Sequence, residues 1–407
     1  MVEAHCVVAH PGVQHSGILA SALHASGRRV RLVTRLQIGR DARRPWSIRI
    51  LQSKLGRRQI SSLPDELIVR TDAWIEVIER LMLRRLPSKV GAALTKASIK
   101  HFERRVVSKI GPEVAIVIGT DTASSSMFRE LKKSSPHILR ILDVSHPLDQ
   151  IAQELVRKDS EEFGFPLSHY DDYRTNATID QSDELRLADR ILVASAFTAE
   201  GLVSLGVDPV KIHIVPYGVD IAVVTKPTIR STEMFRLIFV GALSERKGIS
   251  LLLAAMRKLE SERVPVRLDI VGRSAAGYVL PEPLPGNVFY HGSVSGERLD
   301  ELFCSADLLV LPSMCEGFGR IILEALSFGV GVLATERSGA PDILDRCPHA
   351  PVFILPVEDR TRMADVIAQF VTDRGRINPA DATVAATKFS TSAYTSALNQ
   401  ALWQVAE

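Results

Sequence analysis

Glu316 and Glu324 stand on either side of the turn Gly317-Phe318-Gly319, with seven residues between them. A carboxylate accepts hydrogen bonds without donating and can take two O–H groups, so the pair suits the neighbouring hydroxyls of a sugar or a ribose. Gly317 and Gly319 let a phosphate come close to the backbone, and a helix starting after them offers unpaired N–H groups. Such a stretch can grip sugar, phosphate and ribose together. On spacing alone the plainer reading weighs more, with Glu316 a solvated loop charge and Glu324 an exposed helix position.

A second group lies at Gly241-Ala242-Leu243-Ser244-Glu245-Arg246-Lys247-Gly248. An apolar run, a glycine-containing loop with cations and then a helix start can hold a diphosphate, with Lys247 as a point charge and Arg246 beside it. Taken alone, these are ordinary loop charges. His146, at the end of an apolar run over 138–144, can donate to a sugar hydroxyl or orient an acceptor; most such histidines are structural. Cys315 reads as a small space-filling residue rather than a nucleophile.

The elements that position these groups follow from periodicity. Residues 308–311 read as a strand buried on both faces, 320–328 as a helix with Ile321, Ile322, Ala325 and Leu326 on its core face, and 330–334 as the next strand. That is a βαβ unit. The chain opens in the same way, with a strand over 4–9, the loop His10 to Gly17 containing Gly12, a helix to Gly27 and a strand over 30–34. No G-x-G-x-x-G is present, so a dinucleotide site is not indicated. Strands are expected over 114–119, 138–144, 191–194, 212–216, 237–241, 268–272 and 288–291, and a last helix over 391–405. Such alternation predicts α/β architecture with doubly wound parallel sheets.

Pro312 to Gly329 resembles the signature P-S-x-x-E-G-F-G-x-x-x-L-E-A-x-x-x-G of the retaining glycosyltransferases of family 4, known as E-x7-E. The resemblance is close from Asp183 to about Ala386 and looser before it. It implies the GT-B fold, two Rossmann-like domains facing a central cleft: 1–225 on the acceptor side, 226–386 on the nucleotide-sugar donor side, and 387–407 a helix crossing back. It further implies that Glu316 contacts the transferred sugar and Glu324 the ribose, with Gly317, Phe318 and Gly319 at the donor. Lys247 would stabilise the leaving diphosphate, together with Arg246, because the family's arginine position is Ala242. His146 corresponds to a functional histidine, Gly12 to a glycine near the donor phosphates, and Gly272 and His291 to strand ends beside the base. The implied reaction is metal-independent transfer from a nucleotide-diphosphate sugar to a glycan, lipid-linked or small-molecule acceptor, without a cofactor. The sequence contains no D-x-D.

The 407 residues suggest two domains, and 46% hydrophobic with 24% charged residues is the composition of a soluble globular chain. With no run of 18 apolar residues, a cytoplasmic protein is expected. The four cysteines have no metal spacing. A net charge of +3 conceals two basic blocks, 28–58 with eleven Arg or Lys against Asp41, and 80–109 with nine against Glu103. The second has apolar residues at helical spacing, which fits peripheral contact with an anionic membrane or a phosphorylated acceptor as well as it fits a solvated face. Nucleic acid is disfavoured, because aromatic residues are not interleaved with the cations. A non-catalytic sugar-nucleotide binder, or an epimerase or phosphorylase of the same architecture, remains an alternative.

Overall fold

The computed structural model describes residues 5–12, 15–35, 63–72, 75, 88–170, 181–220, 233–275 and 277–403. The first basic block lies mostly outside these residues, as do 80–87 of the second and the expected boundary at 225.

Seven strands form the first sheet: β1 (His5–Ala9), β2 (Val30–Thr34), β3 (Ile68–Arg70), β4 (Val114–Thr120), β5 (Leu139–Val144), β6 (Arg190–Val193) and β7 (Ile212–Ile214). Their order is β3-β2-β1-β4-β5-β6-β7, and every pairing is parallel. Six more form the second: β8 (Phe235–Val240), β9 (Val266–Val271), β10 (Val288–Tyr290), β11 (Leu308–Leu311), β12 (Gly331–Ala334) and β13 (Val352–Ile354). They run β10-β9-β8-β11-β12-β13, again all parallel. The protein is therefore α/β with two Rossmann-like sheets. In each, chain order reverses once, between β1 and β4 and between β8 and β11, which opens a crevice at the carboxyl ends of those strands.

The central strands are apolar without alternation because helices cover both faces. Leu308 to Leu311 are all buried. On one side of the second sheet the helices Ile249–Ser261 and Met363–Thr372 supply Leu252, Met256, Ile367 and Phe370 to the core. On the other side the core continues from Leu309 and Ile322 through Phe318, Tyr217 and Tyr394 to Ile118 and Leu19, so the two sheets share one apolar interior.

Two chain crossings run side by side. Val219 N–H donates to the Phe389 carbonyl at 2.9 Å, and Thr391 N–H to the Val219 carbonyl at 3.1 Å. A side chain at Gly218 would collide with Tyr394 and the Thr391 backbone, so glycine is needed for this approach. The final helix, Thr391–Trp403, then packs on Ser16–Ala25. Arg190 donates to the Ala401 carbonyl, and the Arg28 guanidinium lies 4.2 Å from the Trp403 ring centroid. The crossing helix implied by the resemblance is thus present.

Boundaries moved by one or two residues where the last turn frays. The helix expected over 320–328 is Ile321–Ser327, and the strand expected over 212–216 ends at Ile214. The helices Asp149–Phe163, Ala340–Arg346 and Pro379–Lys388 were not read from the sequence.

A buried ion pair also ties the two halves together. Arg360, in the 3-10 turn Val357–Arg362, pairs with Asp159 of Asp149–Phe163, and both side chains are almost wholly buried. Asp159 also accepts from the Tyr170 hydroxyl at 2.7 Å. Removing one partner strands the other charge away from water, which costs about 3–5 kcal/mol. Asp159→Ala is therefore expected to lower the urea midpoint clearly, and an unchanged midpoint would show that the pair does not hold the domains together.

Candidate functional site

The neighbouring strands β8 and β11 end at the second sheet's switch point, so their loops lie side by side. Gly248 makes the contact close: its φ is +72°, and an added Cβ would run into the Pro312 carbonyl. Met314 N–H donates to the Arg246 carbonyl at 2.8 Å, and Arg246 Nη1 to the Cys315 carbonyl at 2.9 Å. With the loops in this register, Lys247 Nζ pairs directly with Glu316 Oε1, and Arg246 Nη1 stands 3.6 Å from the same oxygen.

Glu316 is 7% exposed. Burial alone would raise its carboxyl, yet Lys247 and Arg246 outweigh burial and hold it below its usual value. The group is an anion with two adjacent cations, at the crevice opening. Glu324 is half-buried one turn into Ile321–Ser327, where its Oε1 accepts from Arg320 Nε at 3.2 Å and Nη2 at 3.0 Å.

The first domain reaches the same loop. The Gly317 carbonyl accepts from Ser195 Oγ at 2.5 Å and Thr198 Oγ1 at 3.3 Å, and a Cβ on Gly317 would collide with the Ser145 carbonyl. His146 follows directly, its Nδ1 2.8 Å from Ser145 Oγ. Asp342 accepts from Ala196 N–H at 2.9 Å, reaching across to the helix Ala196–Ser204. The loop after β1 arrives from the other side. His15 stacks on Tyr217 with ring centroids 4.0 Å apart, and burial, then Arg320 and His10, push its imidazole down to about 4, so it is neutral at pH 7.

Glu316, Lys247 and Arg246 are thus brought together, with the His146 backbone beside Gly317, while Glu324 is paired with Arg320 on the following helix. Several expected contacts differ. Phe318 is 1% exposed and sits in the shared core against Tyr217 and Phe389, with ring centroids at 6.0 and 6.4 Å, so it supports the loop from beneath instead of lining the crevice. Gly317 provides close approach for the first domain's backbone instead of a phosphate. Gly12 gives its N–H to His10 Nδ1 at 2.9 Å. Gly272, at φ +151°, allows contact with the Gly241 carbonyl at the end of β8, and His291 Nε2 lies 2.7 Å from Asp269 Oδ1 of β9. Gly319, at φ +80°, makes the turn into a seven-residue helix whose N–H groups at Ile322, Leu323 and Glu324 are bonded to Gly319 and Arg320 carbonyls. Any backbone donors for a phosphate are therefore those that precede Ile322.

Sequence reasoning passed over Arg320 and Tyr217 as site residues. Arg320 could have been found, being a lone cation four residues before Glu324 on an otherwise apolar helix. Two cavities, of about 380 Å³ beside Gln181 and Lys211 and about 390 Å³ beside His24 and Arg31, lie on other faces of the first domain.

Residues 225–388 match the family model of glycosyl transferases group 1. The chain is similar to a GDP-mannose-dependent alpha-mannosyltransferase of Mycobacterium tuberculosis, 32% identical over 203 residues, which are 47% of this chain and 50% of that protein. It is also similar to a D-inositol 3-phosphate glycosyltransferase of Mycobacteroides abscessus, 29% identical over 46% of this chain and 45% of that protein. It thus spans about half the length of these curated relatives. Among solved structures, sucrose-phosphate synthase from Thermosynechococcus elongatus superposes with a TM-score of 0.62 at 16% identity, covering 98% of each chain. HepE of Anabaena in complex with UDP and glucose gives 0.59 at 14%, covering 98% of this chain and 99% of that one. These likenesses at low identity are likenesses of fold.

The Glu316 pair makes a pH prediction. A carboxyl whose folded value lies below its unfolded one stabilises the fold above the unfolded value, and that contribution is lost as pH falls through the folded one. The stability gap between wild type and Glu316→Gln should therefore shrink on acidification below the ordinary carboxylate range. A gap in thermal melts that stays constant down to strong acid would remove Lys247 and Arg246 as the cause.

Proposed function

We propose that this chain, whose residues 225–388 belong to the glycosyl transferases group 1, transfers a sugar from a nucleotide-diphosphate sugar to an acceptor hydroxyl, retaining anomeric configuration and needing no metal. The observation that carries this reading is Glu316 held between Lys247 and Arg246 at the switch point of the second sheet, on a loop whose next residue, Gly317, lies against the first domain's Ser145-His146 backbone. In the reaction the bond from the sugar's anomeric carbon to the diphosphate oxygen breaks, and a bond to the acceptor oxygen forms. The departing diphosphate oxygen takes the electron pair of the broken bond, and with it the negative charge, and then accepts the acceptor hydroxyl's proton. Lys247 and Arg246 are placed to stabilise that charge in a site largely shielded from water, where preorganised cations act most strongly. When Lys247 turns to the diphosphate, Glu316 is released to hold sugar hydroxyls. His146 supplies a hydrogen-bonding group at the sugar from the acceptor side. No protein nucleophile is assigned.

One relative is a GDP-mannose-dependent mannosyltransferase, and a HepE structure holds UDP and glucose, which supports a nucleoside-diphosphate hexose as donor. The acceptor we infer is a glycan, lipid-linked or small-molecule hydroxyl compound, and the site of action the cytoplasm. Thermal melts against UDP-, GDP-, ADP- and dTDP-sugars test the donor, since a ligand at a hundred times its dissociation constant adds about 2.7 kcal/mol. One donor is expected to stabilise the wild type. Glu316→Ala should abolish transfer and Lys247→Ala should lower turnover by about 10²–10³, both with the fold intact. A fully active Glu316→Ala would refute the site; a donor bound tightly but never consumed with any acceptor would favour a non-catalytic binder.

Among the described residues no helix is long and apolar enough to cross a membrane. Helix Ser88–Val107 nevertheless presents Val90 and Leu94, 47% and 48% exposed, beside exposed Lys96, Lys100 and Arg104. Apolar side chains flanked by cations favour peripheral contact with an anionic leaflet, at about 1 kcal/mol per cation near the surface. The protein should co-sediment with phosphatidylglycerol vesicles and not with phosphatidylcholine ones, and Leu94→Glu should weaken the binding. Equal partition to both vesicle types would count against this surface.

A further inference from the structure

The β8 loop's cations are committed in the structure: Lys247 to Glu316, and Arg246 to the Cys315 carbonyl with Glu316 close by. Ala242, at the start of that loop, is exposed and uncharged. An incoming diphosphate adds negative charge to a crevice that already holds the Glu316 and Glu324 carboxylates. Arg320 is a further cation placed to meet it, in addition to Lys247 and Arg246. It stands directly after Gly319, with its side chain 36% exposed, and spends Nε and Nη2 on one oxygen of Glu324.

Its surroundings put it at the meeting of the two switch points. The charge of Arg320 is felt by His15, in the β1 loop that also holds Gly12, and by Tyr217, which stacks on His15 and touches Phe318 edge-on. A guanidinium is always charged and its planar fork matches phosphate oxygens, whereas an i,i+4 pair with a partly exposed carboxylate is weak and readily exchanged.

We propose that Arg320 is a donor-phosphate residue that exchanges Glu324 for the diphosphate when a nucleoside diphosphate enters, leaving Glu324 to accept ribose hydroxyls. The exchange rests on the donor-site reading above. It gives the two ends of the signature helix a linked role, with the arginine masking the ribose carboxylate until a phosphate displaces it.

Calorimetric titration tests this with UDP, GDP, ADP and dTDP, with the nucleoside of whichever diphosphate binds, and with inorganic pyrophosphate as a base-free probe. Arg320→Ala is expected to weaken the accepted diphosphate and pyrophosphate by about tenfold or more while leaving the nucleoside within about twofold, and Arg320→Lys to fall between. Glu324→Gln should weaken nucleoside and diphosphate alike. Thermal melts of each variant without ligand check that the fold is kept. Wild-type affinity for the diphosphate retained in Arg320→Ala would overturn the exchange alone, as would equal loss of nucleoside and diphosphate. If the wild type binds none of the four diphosphates, the donor-site reading fails and the exchange with it.

Discussion

The backbone of Gly317 is the constraint on which the site depends. Its carbonyl takes two hydroxyl donors from the first domain, and its missing side chain leaves room for the Ser145 carbonyl. Any larger residue would collide with the Ser145-His146 backbone and push the domains apart beside Glu316. The same contact fixes Phe318 beneath it, and Phe318 in turn fixes Tyr217, so one turn of chain sets both the carboxylate and the angle between the sheets.

Around that contact the domains are joined by unlike devices. The aromatic group of Tyr217, Phe318, Phe389 and Tyr394 is apolar and tolerant of small shifts. The Asp159–Arg360 pair is buried and directional, and Asp342 bonded to Ala196 N–H gives the first-domain helix a partner from the second domain. A buried ion pair contributes little net stability, but it admits few arrangements. Apolar packing therefore supplies cohesion, while the polar contacts specify one relative position.

Electrostatics in the crevice are nearly balanced before any ligand enters. Glu316 is matched by Lys247 and Arg246, and Glu324 by Arg320. Each carboxylate that suits hydroxyls is thus held by a cation that suits phosphate. This arrangement keeps like charges from accumulating in a confined, low-dielectric space.

Much of this was legible in the sequence for a local reason. Strand runs such as Leu308 to Leu311, the spacing of Glu316 and Glu324, and Lys247 before Gly248 depend on neighbours in the chain, and periodicity with turn chemistry reveals them. The α/β class, both sheets and the last helix follow from such patterns, whereas the crossing of that helix to the first domain was implied only by the family resemblance. Only the tertiary structure decided what the glycines and the aromatic residue of the signature are for. Gly317 meets the Ser145 carbonyl and Phe318 faces inward because the first domain comes to rest on this loop, while Gly272 and Gly12 meet Gly241 and His10 within their own domains. The Asp159–Arg360 pair lies between residues 201 positions apart, and no local pattern announces a partner at that distance. Sequence determined the elements and the charges they carry; the packing of one domain on the other decided which of those groups face a ligand and which face each other.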